Sequence, residues 1–303
     1  MYAITGITGQ VGGEVARALL NKGHSVRAVV RDPRKGAAWE KLGCGMALAD
    51  MNDVAALTAA FKTVQGVFIL LPPIFDPSPG FAETRTTVTA LRQALEAARP
   101  RKVVCISTIG AQAKQENLLT QLTMMEQSLG DLPMPVAFLR PAWYMENCRW
   151  DIDSARDRGV MTSFLQPLDK PFPMVATADI GRVAAELLLE NWTGRRIVEL
   201  EGPTRVTPMQ IAETFAEIFA RPVRAEGVSR ETWEHLFRSQ GMKHPEQRIQ
   251  MLDGFNEGWI TFETSGDKVR KGMVPIETAL KAMADAKSQH AAAVQGNKKN
   301  LGL

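Results

Sequence analysis

The spacing of three glycines near the amino terminus constrains the fold of this chain more than any other feature. Gly6, Gly9 and Gly12 follow an apolar run at residues 2–4 and precede a helical pattern at residues 11–20. A strand, a glycine turn and a helix in this order form the pyrophosphate-binding unit of dinucleotide-binding folds. Gly6 permits the tight turn, Gly9 lets backbone approach phosphate, and Gly12 lets the helix pack closely on the strand. The alternative is a glycine-rich loop before an ordinary helix.

Strands and helices alternate through the first two thirds of the sequence. Short apolar runs predict strands at residues 2–4, 25–30, 45–48, 66–71, 102–106 and 135–139. Amphipathic stretches predict helices at residues 11–20, 52–61, 81–98 and 117–128. This alternation predicts an α/β fold: a Rossmann-type, doubly wound parallel sheet with helices on both faces and right-handed crossovers.

The alternation weakens after residue 141, and helical patterns dominate. They cover residues 143–158, 178–189, 207–219, 230–239, 245–255 and 275–287, with one strand at 196–200. Thr207 and Pro208 are typical of an N-cap and a first helical position, and Thr177 or Asp179 is available to cap the helix at 178–189.

These patterns divide the chain into a core and a lobe. We predict an NADP-binding Rossmann core over residues 1–142, to which residues 178–200 return. A smaller, mainly helical C-terminal lobe that binds substrate is predicted from residues 143–177 and 201–287. Residues 288–303 are rich in polar and small side chains, which is typical of a disordered tail.

Composition limits the classes of partner. The net charge is 36 − 33 = +3, and no dense basic run indicates a nucleic-acid partner. No apolar stretch is long enough to cross a membrane. Three cysteines and four histidines lack paired or metal-ligand spacing, so we expect no metal and a reduced, cytoplasmic compartment. A small molecule is the expected substrate, and a homo-oligomer or a regulatory protein partner is left open.

The residue at the end of the second strand indicates which dinucleotide binds. An acidic residue about 20 positions after the glycine turn usually binds the adenosine ribose of NAD. Arg31 stands 31 − 12 = 19 residues after Gly12 and can donate two hydrogen bonds to a 2′-phosphate instead. The sequence therefore favours NADP over NAD, although the adjacent Asp32 leaves NAD open. The alternative is that Arg31 only ends a strand in solvent.

The loops after the later strands should border the same ligand, because ligands of such sheets lie beyond the carboxyl ends of the strands. Asp50 follows the third strand and can bind adenine, or it can cap the next helix. Leu71 and Pro72 end the fourth strand, where backbone lines the dinucleotide. Ser107 and Pro141 follow the fifth and sixth strands and should border the nicotinamide and the substrate.

Four sequence segments resemble one known family. They are the opening TGxxGxxG, VRAVVRDP at 26–33, LRP at 139–141 followed by MEN at 145–147, and ADIGRVA at 178–184. Together they resemble the NmrA-like family of atypical short-chain dehydrogenase/reductases, over residues 1–220. That family includes NADPH-dependent quinone and azo reductases, isoflavone-type reductases and redox-sensing regulators. The resemblance implies NADP binding by Gly6, Thr8, Gln10, Val11, Arg31, Asp50, Met51, Leu71, Ser107 and Pro141.

The usual catalytic pair of the wider superfamily is absent. That pair is a tyrosine and a lysine four residues later, which lowers the pKa of the phenol. Tyr144 is followed at this spacing by Cys148, and Tyr2 by Gly6. Some NmrA-like reductases carry a lysine four residues before a glutamate that resembles Glu126, but Leu122 stands there. The catalytic residues are therefore unknown, with Tyr144 and Ser107 as weak candidates, and Ser107 can equally well only end its strand.

Hydride transfer itself needs contact between donor and acceptor and exclusion of water, not a tuned acid. Phe75, Trp143 and Tyr144 are predicted to line a substrate pocket, and Tyr144 can donate a hydrogen bond to the acceptor. Other aromatic residues that can add to its walls are Trp150, Phe164 and Phe172. The alternative for each of them is core packing.

Two functions remain from the sequence. The first is an NADPH-dependent reductase of a small apolar acceptor, of quinone or azo type, working by direct hydride transfer. The second is a non-enzymatic NADP(H)-sensing regulatory protein, which the missing Tyr–Lys pair favours. An epimerase is a weaker third hypothesis, because its proton transfers ordinarily need an acid–base pair that the sequence lacks.

Overall fold

A computed structural model describes the backbone of residues 1–300 and the side chains of residues 1–289. The strands are β1 (Tyr2–Thr5), β2 (Val26–Val30), β3 (Gly45–Leu48), β4 (Gly66–Ile69), β5 (Val103–Ile106), β6 (Val136–Pro141), β7 (Trp143–Tyr144), β8 (Val160–Ser163), β9 (Met174–Val175), β10 (Arg195–Glu201), β11 (Arg224–Gly227) and β12 (Arg270–Lys271). The α-helices are α1 (Gln10–Asn21), α2 (Pro33–Lys41), α3 (Val54–Phe61), α4 (Ala82–Ala98), α5 (Thr120–Leu129), α6 (Ile152–Arg158), α7 (Thr177–Leu189), α8 (Pro208–Phe219), α9 (Trp233–Ser239), α10 (Glu246–Glu257) and α11 (Ile276–Asn300).

Eight parallel strands form the central sheet, in the order β12-β10-β6-β5-β4-β1-β2-β3. The apolar runs of β1, β4 and β5 are buried throughout, as strands covered on both faces must be. The strand order reverses between β1 and β4, which creates a crevice at their carboxyl ends. The predicted Rossmann-type, doubly wound α/β fold is therefore confirmed.

Two layers of helices cover the sheet. Val15 of α1 and Ile180 of α7 belong to one buried apolar cluster, and Leu91 of α4 and Leu129 of α5 belong to the other. Residues 178–200, which were predicted to return to the core, form most of α7 and β10. The strand β10 pairs with β6, and α7 packs against α1.

The C-terminal lobe contains α6 and α8 to α11 together with two short sheets that sequence reasoning missed. Strand β8 pairs in parallel with β11, and β7 pairs with β9. At α8, Thr207 is the N-cap and Pro208 lies in the first turn, as the sequence indicated, and Gln210 completes a capping box that was not predicted. None of the helices in the described part of the chain is long and apolar enough to cross a membrane.

One prediction of local structure needs correction, one helix was missed, and the predicted tail lies partly outside the described residues. Residues 143–158 are not one helix, because Trp143 pairs with Met174 of β9 before a 3₁₀ turn at Met145–Trp150 and then α6. Helix α2 was missed, although Asp32 followed by Pro33 is a typical helix start. Helix α11 continues into the predicted tail 288–303, whose side chains from residue 290 and whose residues 301–303 lie outside the described residues.

The contact between α1 and α7 depends on the absence of a side chain at Gly181. A Cβ atom there would lie 2.2 Å from Cβ of Glu14 and 3.0 Å from the backbone nitrogen of Val15. Such distances require α1 to move as a unit. Because α1 also carries the glycine turn, Gly181 fixes the position of that turn from the opposite side of the helix.

Gly181→Ala is expected to lower the free energy of unfolding by about 1–3 kcal/mol, despite the better helix propensity of alanine, because α1 and α7 must separate. Urea denaturation measures this change. The control is Gly45→Ala, where the new Cβ would meet nothing closer than the Val26 carbonyl oxygen at 3.9 Å. Equal stabilities of the two variants would contradict the close-packing explanation.

Candidate functional site

The turn between β1 and α1 has the backbone geometry that a phosphate cradle needs. Gly6 has a φ of +62°, in the left-handed region that favours glycine. A Cβ on Gly12 would lie 2.3 Å from the carbonyl oxygen of Gly6, so α1 can approach the turn only with glycine there. Gly9 occupies the N-cap of α1 and offers no capping side chain. The first N–H groups of α1 therefore remain available to an anion.

Access to this turn is open, because Thr8, Gly9 and Gln10 are exposed while Val11 is buried beneath them. The three exposed residues were all predicted to bind the cofactor. Val11 packs into the core, so its contribution is limited to its backbone N–H. The open turn and the uncapped helix fit a pyrophosphate.

Thr5 joins the two strands that flank the crevice, and sequence reasoning missed it. Its buried hydroxyl donates to the carbonyl oxygen of Phe68 at 3.1 Å and accepts from the N–H of Leu70 at 2.9 Å. The Leu70 side chain in turn lies 3.0 Å from where a Cβ of Gly6 would be. Thr5 therefore sets the distance between the glycine turn and the loop after β4.

The two charged residues after β2 have different surroundings. The carboxylate of Asp32 accepts hydrogen bonds from the backbone N–H and the guanidinium of Arg34, both at 3.0 Å, and caps α2. Arg34 also lowers the pKa of Asp32. Arg31 is exposed and has no hydrogen bond or ion pair to any described residue. The cation is therefore available to a ligand, and the carboxylate is already engaged.

The loop after β3 excludes one of the two roles considered for Asp50. Asp53 caps α3 by accepting from the N–H of Ala56 at 3.0 Å, so Asp50 is not that cap. Asp50 accepts from the N–H of Asn52 at 2.9 Å and remains exposed, while Met51 is half-buried. Contact of Asp50 and Met51 with adenine stays a prediction.

The segment after β4, residues 71–81, connects the core to the lobe. It begins with half-buried Leu71 and exposed Pro72. Asp76 accepts hydrogen bonds from the N–H groups of Lys243 and His244 at 2.8 and 2.7 Å. These two hydrogen bonds lower the pKa of Asp76, although its burial acts in the opposite direction. Phe75, next to this anchor, is 67 % exposed at the rim of the crevice.

Ser107 belongs to a buried polar network at the end of β5. Its hydroxyl donates to Oε1 of Glu126 at 2.6 Å, and Arg140 of β6 donates to both carboxylate oxygens of Glu126 at 2.8 and 2.7 Å. All three side chains are at most 3 % exposed. The Ser107 proton is therefore committed to Glu126, so this hydroxyl cannot also donate it to a substrate carbonyl. A catalytic role for Ser107 stays a prediction, and in this geometry its hydroxyl could only accept a hydrogen bond from the substrate.

Arg140 and Glu126 hold the ends of β5 and β6 in place. Arg140 also donates to Glu263 at 2.8 Å, and Arg195 donates to Glu126 at 3.1 Å. Burial acts to lower the pKa of Arg140, but the hydrogen bonds and charges of Glu126 and Glu263 outweigh it and raise the pKa. Arg140, the arginine of the LRP segment, is thus a buried, permanently charged residue that holds the end of β6 next to Pro141. Sequence reasoning missed this role.

Trp143 and Tyr144 lie directly beyond Pro141, at the edge where the substrate was predicted. Both side chains are half-buried. Burial, and secondly the charge of Glu146, raise the pKa of the Tyr144 phenol. A lysine partner would lower that pKa, so the surroundings of Tyr144 are the opposite of a Tyr–Lys pair. Tyr144 remains a neutral hydrogen-bond donor.

The other aromatic candidates divide between core and surface. Phe172 is buried in the lobe, and Phe164 packs against Trp233 and Phe237 with centroids at 5.6 and 5.2 Å. These two follow the core-packing alternative. Trp150 is 79 % exposed. Trp143 packs edge-on against Phe255 of α10 at 5.1 Å, which brings the lobe to the end of β6.

The MEN segment positions α7. The carboxylate of Glu146 accepts from the N–H of Thr177 at 2.9 Å and from its hydroxyl at 2.7 Å. Thr177 and Asp179 were considered as caps of this helix, but the capping group is Glu146, which comes from a distant turn. Asp179 instead accepts from the N–H groups of Met273 and Val274 and anchors the segment that leads to α11.

A groove of about 950 Å³ lies on the face of the sheet beside α5, not at the glycine turn. Its walls include Lys114, Thr123, Arg140 and Arg195, and none of the residues predicted to bind the cofactor. Within the described residues, no group of three His, Cys, Asp or Glu side chains could hold a metal ion.

Comparisons with known proteins agree with this geometry. Residues 2–283 match the model of the NmrA-like family. The chain is 26 % identical to quinone oxidoreductase 2 of Escherichia coli, over 83 % of this chain and 85 % of that protein. It is 26 % identical to an NAD(P)H azoreductase of Xenophilus azovorans, over 85 % of each.

A solved structure has the same fold. An NADPH-dependent quinone oxidoreductase of Escherichia coli, complexed with NADPH, superposes with a TM-score of 0.78 at 22 % identity, over 93 % of this chain and 99 % of that one. Because the family model covers residues 2–283, nearly the whole chain, this protein belongs to the NmrA-like family.

Proposed function

We propose that this protein is an NADPH-dependent reductase of a small, apolar, electron-poor acceptor of quinone or azo type. The observation that carries the proposal is the open glycine turn beside an unengaged Arg31, in a chain whose relatives include a quinone oxidoreductase and an NAD(P)H azoreductase. The relatives support a reductase over the regulatory alternative. Free, buried cysteines support a reducing compartment, and we propose the cytoplasm.

Different residues would bind different parts of NADPH. The glycine turn and the N-terminus of α1 would hold the pyrophosphate, and Arg31 would bind the 2′-phosphate. Asp50 and Met51 would border the adenine. Leu71, Pro72, Ser107 and Pro141 would line the path from the pyrophosphate to the nicotinamide.

The chemistry requires little acid–base help from the chain. When bound, NADPH would supply a hydride, and the second hydrogen of the reduced acceptor is a proton that solvent can provide. Phe75, Trp143 and Tyr144 would exclude water from the acceptor and orient it. Tyr144 would donate a hydrogen bond to an acceptor oxygen without losing its proton.

NADPH oxidation with a panel of quinones and azo compounds tests the proposal directly. A rate well above the protein-free control is expected. Tight NADPH binding, measured by calorimetry, without turnover of any acceptor would contradict the reductase and support the sensing protein.

Arg31→Met is expected to weaken NADPH binding by about tenfold or more, because a charge-assisted pair with the 2′-phosphate is lost. NADH binding should change by about twofold or less, since NADH lacks that phosphate. Calorimetric titration of both coenzymes measures the two effects. The control is Lys41→Met, which removes the same charge from the far end of α2. Equal losses for NADPH and NADH would exclude the phosphate contact.

Tyr144→Phe is expected to reduce kcat/KM for a quinone by less than about tenfold, because the proton comes from solvent rather than from the phenol. Since burial raises the pKa of Tyr144, its hydroxyl stays protonated throughout the neutral range. The profile of kcat/KM between pH 6 and 9 should therefore have the same shape in both proteins. A loss of kcat of about 100-fold or more would identify Tyr144 as the proton donor.

A further inference from the structure

Arg248, on the first turn of α10, is a half-buried cation that the proposed reaction has not used. Its guanidinium lies over the ring of Phe237 at 4.2 Å and near the ring of Phe164 at 5.8 Å. Its one hydrogen bond within the described residues goes to the sulfur of Met242 at 3.7 Å, which is a weak acceptor. No carboxylate of the described residues pairs with Arg248.

The carboxylates on the neighbouring elements already have other partners. Glu246 pairs with Arg238 at 2.6 Å. Asp253 forms two hydrogen bonds with Arg230, at 2.6 and 2.7 Å. Asp76 is occupied by the two backbone N–H groups after Met242. None of these three carboxylates could turn to Arg248 without breaking an existing interaction.

A half-buried charge without an anion is unfavourable for folding. Burial lowers the pKa of Arg248, which reports the loss of water around its charge. Aromatic rings compensate a desolvated guanidinium only in part. An arginine in such a place, facing no carboxylate of the described residues, is the arrangement expected where a ligand supplies the anion.

The position of Arg248 links it to the candidate site. The first turn of α10 accepts a hydrogen bond from Leu118, in the loop after β5, at the Gln247 carbonyl. The segment just before α10 is anchored by Asp76, next to exposed Phe75. Seven residues further along the same helix, about 10 Å away, Phe255 packs on Trp143. Arg248 and Phe255 therefore lie on the same face of α10, and Phe255 contacts Trp143 of the predicted acceptor pocket.

We propose that Arg248 binds an anionic substituent of the acceptor, so that the preferred substrates are aromatic acceptors carrying a sulfonate, carboxylate or phosphate group. The inference rests on the proposed reductase activity and names its substrate class. The aromatic part lies against Phe75, Trp143 and Tyr144, and the anion lies at the guanidinium, one helix segment away. A planar two-ring acceptor with one acidic substituent spans such a distance.

The kinetic test compares 1,4-naphthoquinone with its 2-sulfonate, using NADPH and the full chain. The sulfonate changes the intrinsic reactivity of the quinone, so the informative quantity is the ratio of the two kcat/KM values in each protein. Arg248→Met is expected to lower the sulfonate-to-neutral ratio by about tenfold or more relative to wild type. Arg248→Lys, which keeps the charge, should recover part of the preference.

The control variant is Arg224→Met, which removes a lobe arginine that has its own carboxylate, Glu226, at 2.6 Å. Its ratio should equal that of wild type. The unfolding temperature of Arg248→Met should be unchanged or higher, because an uncompensated charge has been replaced by an apolar chain of similar length. A lower unfolding temperature with an unchanged ratio would assign Arg248 to packing and overturn the proposal.

A binding experiment distinguishes failure of the anion site from failure of the proposed reductase activity. Calorimetry of 2-naphthalenesulfonate, which cannot accept a hydride, is done on protein saturated with NADP⁺. A Kd that rises about tenfold or more in Arg248→Met, with no turnover of any quinone or azo compound by the wild-type protein, would support the anion site and refute the reductase. Turnover with an unchanged ratio and an unchanged Kd would refute the anion site and keep the reductase.

Discussion

The candidate site depends on how closely α1 approaches the turn that precedes it. At Gly12 even one methyl group would collide with the backbone of Gly6, and at Gly181 it would collide with the opposite side of α1. Helix α1 is therefore held between the turn and α7 by two positions without side chains. The direction of its N-terminus, and with it any binding of an anion, follows from that packing.

A second constraint acts at the far side of the crevice. Buried Glu126 accepts hydrogen bonds from the hydroxyl of Ser107 and the guanidinium of Arg140. These bonds connect α5 to the ends of β5 and β6. A buried charge pair of this kind stabilises little by itself, but breaking it leaves an unpaired charge in the core. Its consequence is positional, because the loops that reach the lobe begin at these strand ends.

Signals that depend on neighbouring residues could be read from the sequence, and those that depend on distant partners could not. The glycine turn, the N-cap at Thr207 and the alternation of β1 to β6 are local or periodic, and they were predicted. Helix α2 was equally local in its Asp32–Pro33 start and was missed. The pairing of Trp143 with Met174, the capping of α7 by Glu146 and the partners of Ser107 join segments far apart in sequence.

By itself, the sequence determined the parallel sheet, the dinucleotide-type turn, the basic residue after β2 and the absence of a Tyr–Lys pair. Each of these features follows from residue spacing or residue type alone. Tertiary structure alone decided which charges are engaged. Arg140 and Arg195 both bind Glu126, which stands 14 and 69 residues away from them in sequence, whereas Arg31 pairs with no carboxylate of the described residues. The sequence does not distinguish Arg248 from other arginines on helices. Only the structure shows that the carboxylates of Glu246 and Asp253 have other partners. Whether a charged side chain is free to bind a ligand depends on its distance from charges on other segments, and residue spacing along the chain does not specify that distance.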